Sequence, residues 1–110
     1  MSDAPLEVSC QSVHQRLGTA GFLLLDCREP SEYATASISG AMLLPMSEIN
    51  ERVGEIAASH PTDLVIHCHH GGRSLRMARW LRQNGFPQAA SMAGGIEQWS
   101  LEIDQTVPRY

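Results

Sequence analysis

The sequence predicts an α/β domain built on a mostly parallel sheet. Short apolar runs alternate with segments of helical periodicity along the whole chain. The run Phe22 to Asp26 is continuously apolar up to its last residue, as expected of a strand covered on both faces. Gly18, Pro45, Gly85 and Pro87 fall at the joins, where chain-breaking residues belong.

Leu6-Glu7-Val8 reads as a short first strand. Cys10, Val13, His14 and Leu17 then recur at helical spacing, and Gly18 stops the helix. After the Phe22–Asp26 strand, residues Pro30 to Ala36 form a short helix opened by proline. Met42 to Leu44 is a third strand, closed by Pro45. Ser47 is placed to cap a helix whose Ile49, Val53, Ile56 and Ala57 make one apolar face. Leu64 to Cys68 is the fourth strand. A helix from about Ser74 to Asn84 follows, then a strand from Ala89 to Met92 and a short helix from Ile96 to Trp99.

A chain of 110 residues fits one domain spanning positions 1 to 110, without repeat, linker or low-complexity segment. It has no long apolar run, so no membrane span is expected. Met1-Ser2-Asp3-Ala4-Pro5 lacks the basic and apolar regions of a signal peptide. Three cysteines, an odd number without framework spacing, suit a reducing, cytoplasmic setting. A net charge of −4 argues against nucleic acid as the main partner. All eight basic residues are arginine, which carries no functional signal by itself.

The chemistry concentrates in Cys68-His69-His70-Gly71-Gly72-Arg73-Ser74. A cysteine at the carboxyl end of a strand is followed by a loop with two glycines, free of the usual backbone limits. The next helix brings unpaired N–H groups and the positive end of its dipole. Arg73 adds a cation. Such surroundings lower a thiol below its free pKa of about 8.5 and generate the thiolate nucleophile. Ligands of open parallel sheets bind beyond the carboxyl ends of the strands. Asp26 and Cys68 both lie there, so the mouth should involve residues 26 to 29, residues 68 to 74 and Gly94-Gly95.

The pattern Cys-x-x-Gly-x-Arg-Ser after an apolar strand resembles the active-site loop of rhodanese-like sulfurtransferases. Asp26-Cys27-Arg28 with Glu32-Tyr33, Gly40-Ala41 with Pro45, and Gly94-Gly95 with Trp99 resemble three further segments of that family, in order along nearly the whole chain. Two departures stand out. Ser37 occupies a position where the family often has His, and no glycine lies between Ser100 and Pro108, where the family usually has one. The resemblance implies a three-layer fold with a central, mostly parallel five-stranded sheet flanked by helices. It implies that Cys68 carries a sulfane sulfur as a persulfide, taken from a donor such as thiosulfate and passed to cyanide, a thiol or a protein cysteine. It makes Arg73 the cation that orients substrate and Ser74 an accessory donor; Gly71 and Gly72 permit the cradle. No organic cofactor or metal is called for. A persulfide relay between protein partners is the alternative function. A phosphatase or arsenate reductase is a third reading, disfavoured because the cysteine phosphatase loop holds one more residue between its Cys and Arg.

Several residues carry two readings. Cys10 lies on an apolar helix face and reads as core. Cys27 is either packing or a thiol that resolves or protects Cys68, provided the two Cα atoms lie within about 7 Å. The run His67 to His70 suggests a metal site, but adjacent residues of a strand point to opposite faces and cannot converge on one ion. His69 and His70 either line the loop mouth as tolerated polar residues or, protonated, stabilise the thiolate. Asp26 and Arg28 support the site, and Arg28 with Glu32 can form an ion pair. Arg76, Arg79 and Arg82 form a solvated face or a docking surface for an anionic substrate or acidic partner, with Leu75 as an apolar contact in their arc. Trp80 and Trp99 read as packing residues.

Overall fold

A computed structural model describes residues 4–110, so Met1 to Asp3, part of the segment read above as lacking a signal, lie outside the described residues. The chain forms a five-stranded sheet, all neighbours parallel, in the order β1-β5-β4-β2-β3. The strands are β1 (Glu7–Val8), β2 (Phe22–Asp26), β3 (Met42–Leu43), β4 (Asp63–His67) and β5 (Ala89–Met92). The helices are α1 (Cys10–Arg16), α2 (Pro30–Thr35), α3 (Ile49–Ser59), α4 (Gly72–Gln83) and α5 (Gly95–Glu102).

Alternation along the strands divides the interior into two halves. Leu25, Leu64, Ile66 and Ala89 point to the side covered by α3 and α4, where they meet Ile49, Ile56, Met77 and Leu81. Leu24, Val65 and Met92 point the other way, against Cys10, Val13, Ile96 and Trp99 of α1 and α5. Both faces are therefore buried, which is why the central strands read as continuous apolar runs. The result is the expected three-layer α/β architecture. Among the described residues no helix is long and apolar enough to cross a membrane.

Local departures from the sequence expectation have simple causes. Ser47 does not cap α3. A 3-10 turn, Met46–Glu48, leads into the helix, and the Ser47 hydroxyl instead donates to Glu29 Oε2 at 3.3 Å. Ala57 is exposed, so the buried face of α3 narrows to Ile49, Val53 and Ile56. The fourth strand ends at His67, one residue early, and α4 begins at Gly72, two residues before Ser74. Trp99 is buried and Trp80 packs at the core's edge. Arg82 is not simply solvated: it donates to the carbonyl of Ala89 at 2.6 Å and to Ala4 and Pro5, pinning the chain before β1 to the end of α4. Arg76 and Arg79 remain exposed, and Leu75 is half-buried.

Candidate active site

The strand β4 sits between β2 and β5, so its carboxyl end opens among three loops. Cys68 is the first residue beyond that end and is 1 % exposed. The chain then turns back on itself so that N–H groups face the sulfur. Gly71 N–H donates to Cys68 Sγ at 3.1 Å and Ser74 N–H at 3.3 Å, and the Ser74 Oγ lies 3.4 Å away. These groups belong to the first turn of α4, where N–H groups have no partner within the helix. The Ser74 Oγ is also 2.7 Å from the Ser91 Oγ on β5. A serine hydroxyl has one proton, and Ser74 Oγ also has the Gly71 carbonyl oxygen at 3.2 Å; with Cys68 ionised the charged sulfur is the stronger acceptor, and Ser74 accepts from Ser91.

These contacts hold Cys68 well below the ordinary thiol range. Hydrogen bonding with Cys27 contributes most, ahead of the Ser74 hydroxyl and the N–H groups of Ser74 and Gly71, while burial opposes them. The same contact, reinforced by burial, pushes Cys27 far up, so the pair has one thiolate and one thiol. The donors that stabilise the sulfur are therefore hydrogen-bonding groups before they are charges.

Two glycines make this loop geometry available. Gly71 has a φ of 114°, a conformation that side chains rarely adopt. Gly95 lies across from the loop with a φ of 61°, and a Cβ there would come within 2.5 Å of the Cys68 carbonyl oxygen and collide with that of His69. Gly72 is different: its φ is ordinary and a Cβ would meet open space. The loop's freedom is therefore needed at Gly71 and not at Gly72. The segment Gly94-Gly95 stands at the site as fold logic suggested, and it braces the loop. Ile96 N–H donates to the Cys68 carbonyl at 2.9 Å and Glu97 N–H to that of His69 at 3.1 Å.

Arg73 stands at the rim, its guanidinium paired with Glu32 through bonds of 2.7 and 2.8 Å. The expected ion pair between Arg28 and Glu32 is replaced. Glu32 uses its carboxylate on Arg73, on the Tyr110 hydroxyl at 2.8 Å and on the Glu29 N–H at 3.1 Å. Arg73 first, aided by Tyr110, lowers Glu32 to about 2. Arg28 is fully buried with Asp26, and its Nε and Nη2 reach both carboxylate oxygens at 2.9 and 2.6 Å. It also donates to the Ala36 carbonyl and the Tyr110 hydroxyl. Asp26 and Arg28 therefore do not face the sulfur; they anchor the loop after β2 and, through Tyr110 and Glu32, the position of Arg73. Removing one partner of such a buried pair typically costs about 3–5 kcal/mol.

The three histidines do not converge. His67 is buried beside Asp26, 3.8 Å from it, and burial holds its ring below the usual range and neutral. His69 stacks between His70 and Tyr110, each at a centroid distance of 3.9 Å. Burial first, and then His70, lowers His69, so that ring is neutral at neutral pH. Among the described residues no group of three or more His, Cys, Asp or Glu is placed to hold a metal ion. Ser91 and Tyr110 escaped the sequence reading. Ser91 left one trace, a polar residue inside a buried strand; Tyr110 left none, because its contact is made across 78 positions of chain.

Residues 9–102 match the rhodanese-like domain family. The chain belongs to that family. It is 38 % identical over 95 residues to a sulfurtransferase of Allochromatium vinosum, an alignment covering 86 % of this chain and 87 % of that one. It is 29 % identical over 110 residues to the rhodanese-like/PpiC domain-containing protein 12, chloroplastic, of Arabidopsis thaliana, covering 94 % of this chain but 37 % of that protein. Its rhodanese-like fold superposes with a TM-score of 0.79 on a rhodanese-related protein of Thermoplasma volcanium, at 25 % identity, over 90 % of this chain and 94 % of the other.

Proposed function

We propose that this rhodanese-like chain, acting as one domain over residues 1–110, transfers a sulfane sulfur through a persulfide on Cys68. The observation that carries this is the placement of the Cys68 sulfur at the focus of the Gly71 and Ser74 N–H groups. Such a cradle stabilises a thiolate and then, with little rearrangement, the charge of a Cys–S–S⁻ group. With thiosulfate, the Cys68 thiolate attacks the outer sulfur, the S–S bond breaks and sulfite leaves with the electron pair. A thiophilic acceptor such as cyanide or a thiol then takes the sulfur and returns the thiolate. No separate general base is required, because the attacking group is already ionised. Arg73, held at the rim by Glu32, meets the anionic end of the donor.

Incubation with thiosulfate should add one sulfur, about 32 Da, to the wild type. Cys68→Ala should show neither the added mass nor turnover. Full activity in the alanine variant would rule the mechanism out.

A second reading, relay between protein partners, draws support from the exposed face of α4, the helix that begins at the Cys68 loop. Arg76 and Arg79 are exposed there, and Arg76 borders a small apolar recess with Met46, Ile49 and Trp80. Slow thiosulfate turnover beside fast transfer from a protein persulfide would favour the relay.

A further inference from the structure

Cys27 is a second thiol at the site, one that sulfur transfer does not use as a nucleophile. The parallel pairing of β2 with β4 sets Leu25 beside Ile66 and Asp26 beside His67. Cys27 N–H donates to the His67 carbonyl at 3.1 Å, which carries the ladder one residue further. Cys27 and Cys68 are therefore the next pair in register. Neighbouring strands lie about 4.8 Å apart, inside the Cα separation of about 4.4–6.8 Å that a disulfide spans. Alternation puts both side chains on the same face, and both belong to the apolar cluster of Leu25, Leu44 and Ile66. Each is 1 % exposed. Cys10 is a contrast: it lies in the opposite half of the core, beneath the carbonyls of Ala93 and Gly95.

We propose that Cys27 and Cys68 form a redox dithiol, in which Cys27 resolves Cys68 after oxidation by a hydroperoxide and closes a reversible Cys27–Cys68 disulfide. In the first step the Cys68 thiolate attacks the outer peroxide oxygen. The O–O bond breaks, the leaving oxygen takes a proton to become an alcohol or water, and Cys68 becomes a sulfenic acid. In the second step Cys27 sulfur attacks Cys68 Sγ, the S–O bond breaks, and hydroxide leaves with the Cys27 proton as water. Two thiols are oxidised and one peroxide is reduced; a dithiol reductant reverses the change. The contact with the anionic Cys68 sulfur is the largest of the influences that keep Cys27 protonated, ahead of burial. Once Cys68 is a neutral sulfenic acid that largest influence is lifted, while burial remains. The disulfide spares Cys68 from irreversible over-oxidation.

The pair needs the Cys68 thiolate but not sulfur transfer, so the test contains no sulfur donor. The reduced full chain is freed of reductant, treated with hydrogen peroxide, denatured, alkylated with iodoacetamide and weighed. Wild type should lose about 2 Da by oxidation, alkylate at Cys10 alone and give a linked Cys27–Cys68 peptide. Dithiothreitol should restore alkylation at all three cysteines. Cys27→Ser and Cys27→Ala should instead gain about 32 Da as a sulfinic acid at Cys68, which dithiothreitol does not reverse. Cys10→Ser should behave as wild type. Sulfinic acid on wild-type Cys68 with Cys27 still free to alkylate would overturn the proposal, and that measurement needs no variant. Disulfide formation in a protein without thiosulfate turnover would refute thiosulfate as the sulfur donor and leave the dithiol proposal standing.

Discussion

The junction between β4 and α4 and the junction between β5 and α5 both turn on a glycine at positive φ, Gly71 at 114° and Gly94 at 82°. Each opens a helix whose first N–H groups need partners from outside it. At the first junction, Gly71 and Ser74 direct theirs at a sulfur atom. At the second, Ile96 and Glu97 direct theirs at the carbonyl oxygens of Cys68 and His69. The second junction thereby completes the first. It satisfies two carbonyls of the loop, while the Gly71 and Ser74 N–H groups remain for the sulfur. The same backbone device makes a reactive site when its partner is a side chain, and a brace when its partner is backbone.

The sharpest break comes from the sulfur itself. Cys68→Ala should remove all turnover in a thiosulfate–cyanide assay while urea unfolding shows a folded protein. Gly95→Ala attacks the brace. It combines a left-handed backbone with a collision against two carbonyls, and should cost about 3 kcal/mol in urea unfolding. It should also slow alkylation of Cys68; an unchanged rate would show that the cradle does not depend on the brace. Ser74→Ala removes one donor and keeps the N–H groups. It should raise the Cys68 pKa by about one unit, read from the pH dependence of iodoacetamide alkylation.

In that assay the wild-type rate should hold steady as pH falls from neutrality and drop only as the thiolate takes up a proton, near the lowered pKa of about 4. A drop near pH 8 would show an ordinary thiol. The smallest effect is expected at Gly72→Ala. With ordinary φ and open space, this substitution should leave turnover unchanged and stabilise α4 by about 0.5 kcal/mol. A loss there would mean that the two adjacent glycines share a role that only Gly71 now holds.

The sheet was legible because its strands are continuous apolar runs; β2 and β5 fall on the expected residues, Phe22–Asp26 and Ala89–Met92. The start of α4 was hidden by Gly72, a poor helix former that reads as loop although it occupies the first turn. The cysteine and its glycine-rich loop were visible as a local motif. The surroundings were not. The partner of Arg73 lies 41 positions away at Glu32, and the second hydroxyl, Ser91, comes from another strand. Local pattern could not choose between Arg28 and Arg73 for Glu32, since Arg28 has the nearer position in sequence. Burial of Arg28 with Asp26 decided it.

Tyr110 stacks on His69 and hydrogen-bonds Glu32, the partner of Arg73, so the chain's last residue is held against the Cys68 loop. Polypeptide continued beyond it, as a fused domain or a tag, departs from beside that loop. A thiol on a short flexible tether there would experience a millimolar effective concentration at the cradle. The same extension placed ahead of β1 would begin at the far edge of the sheet order.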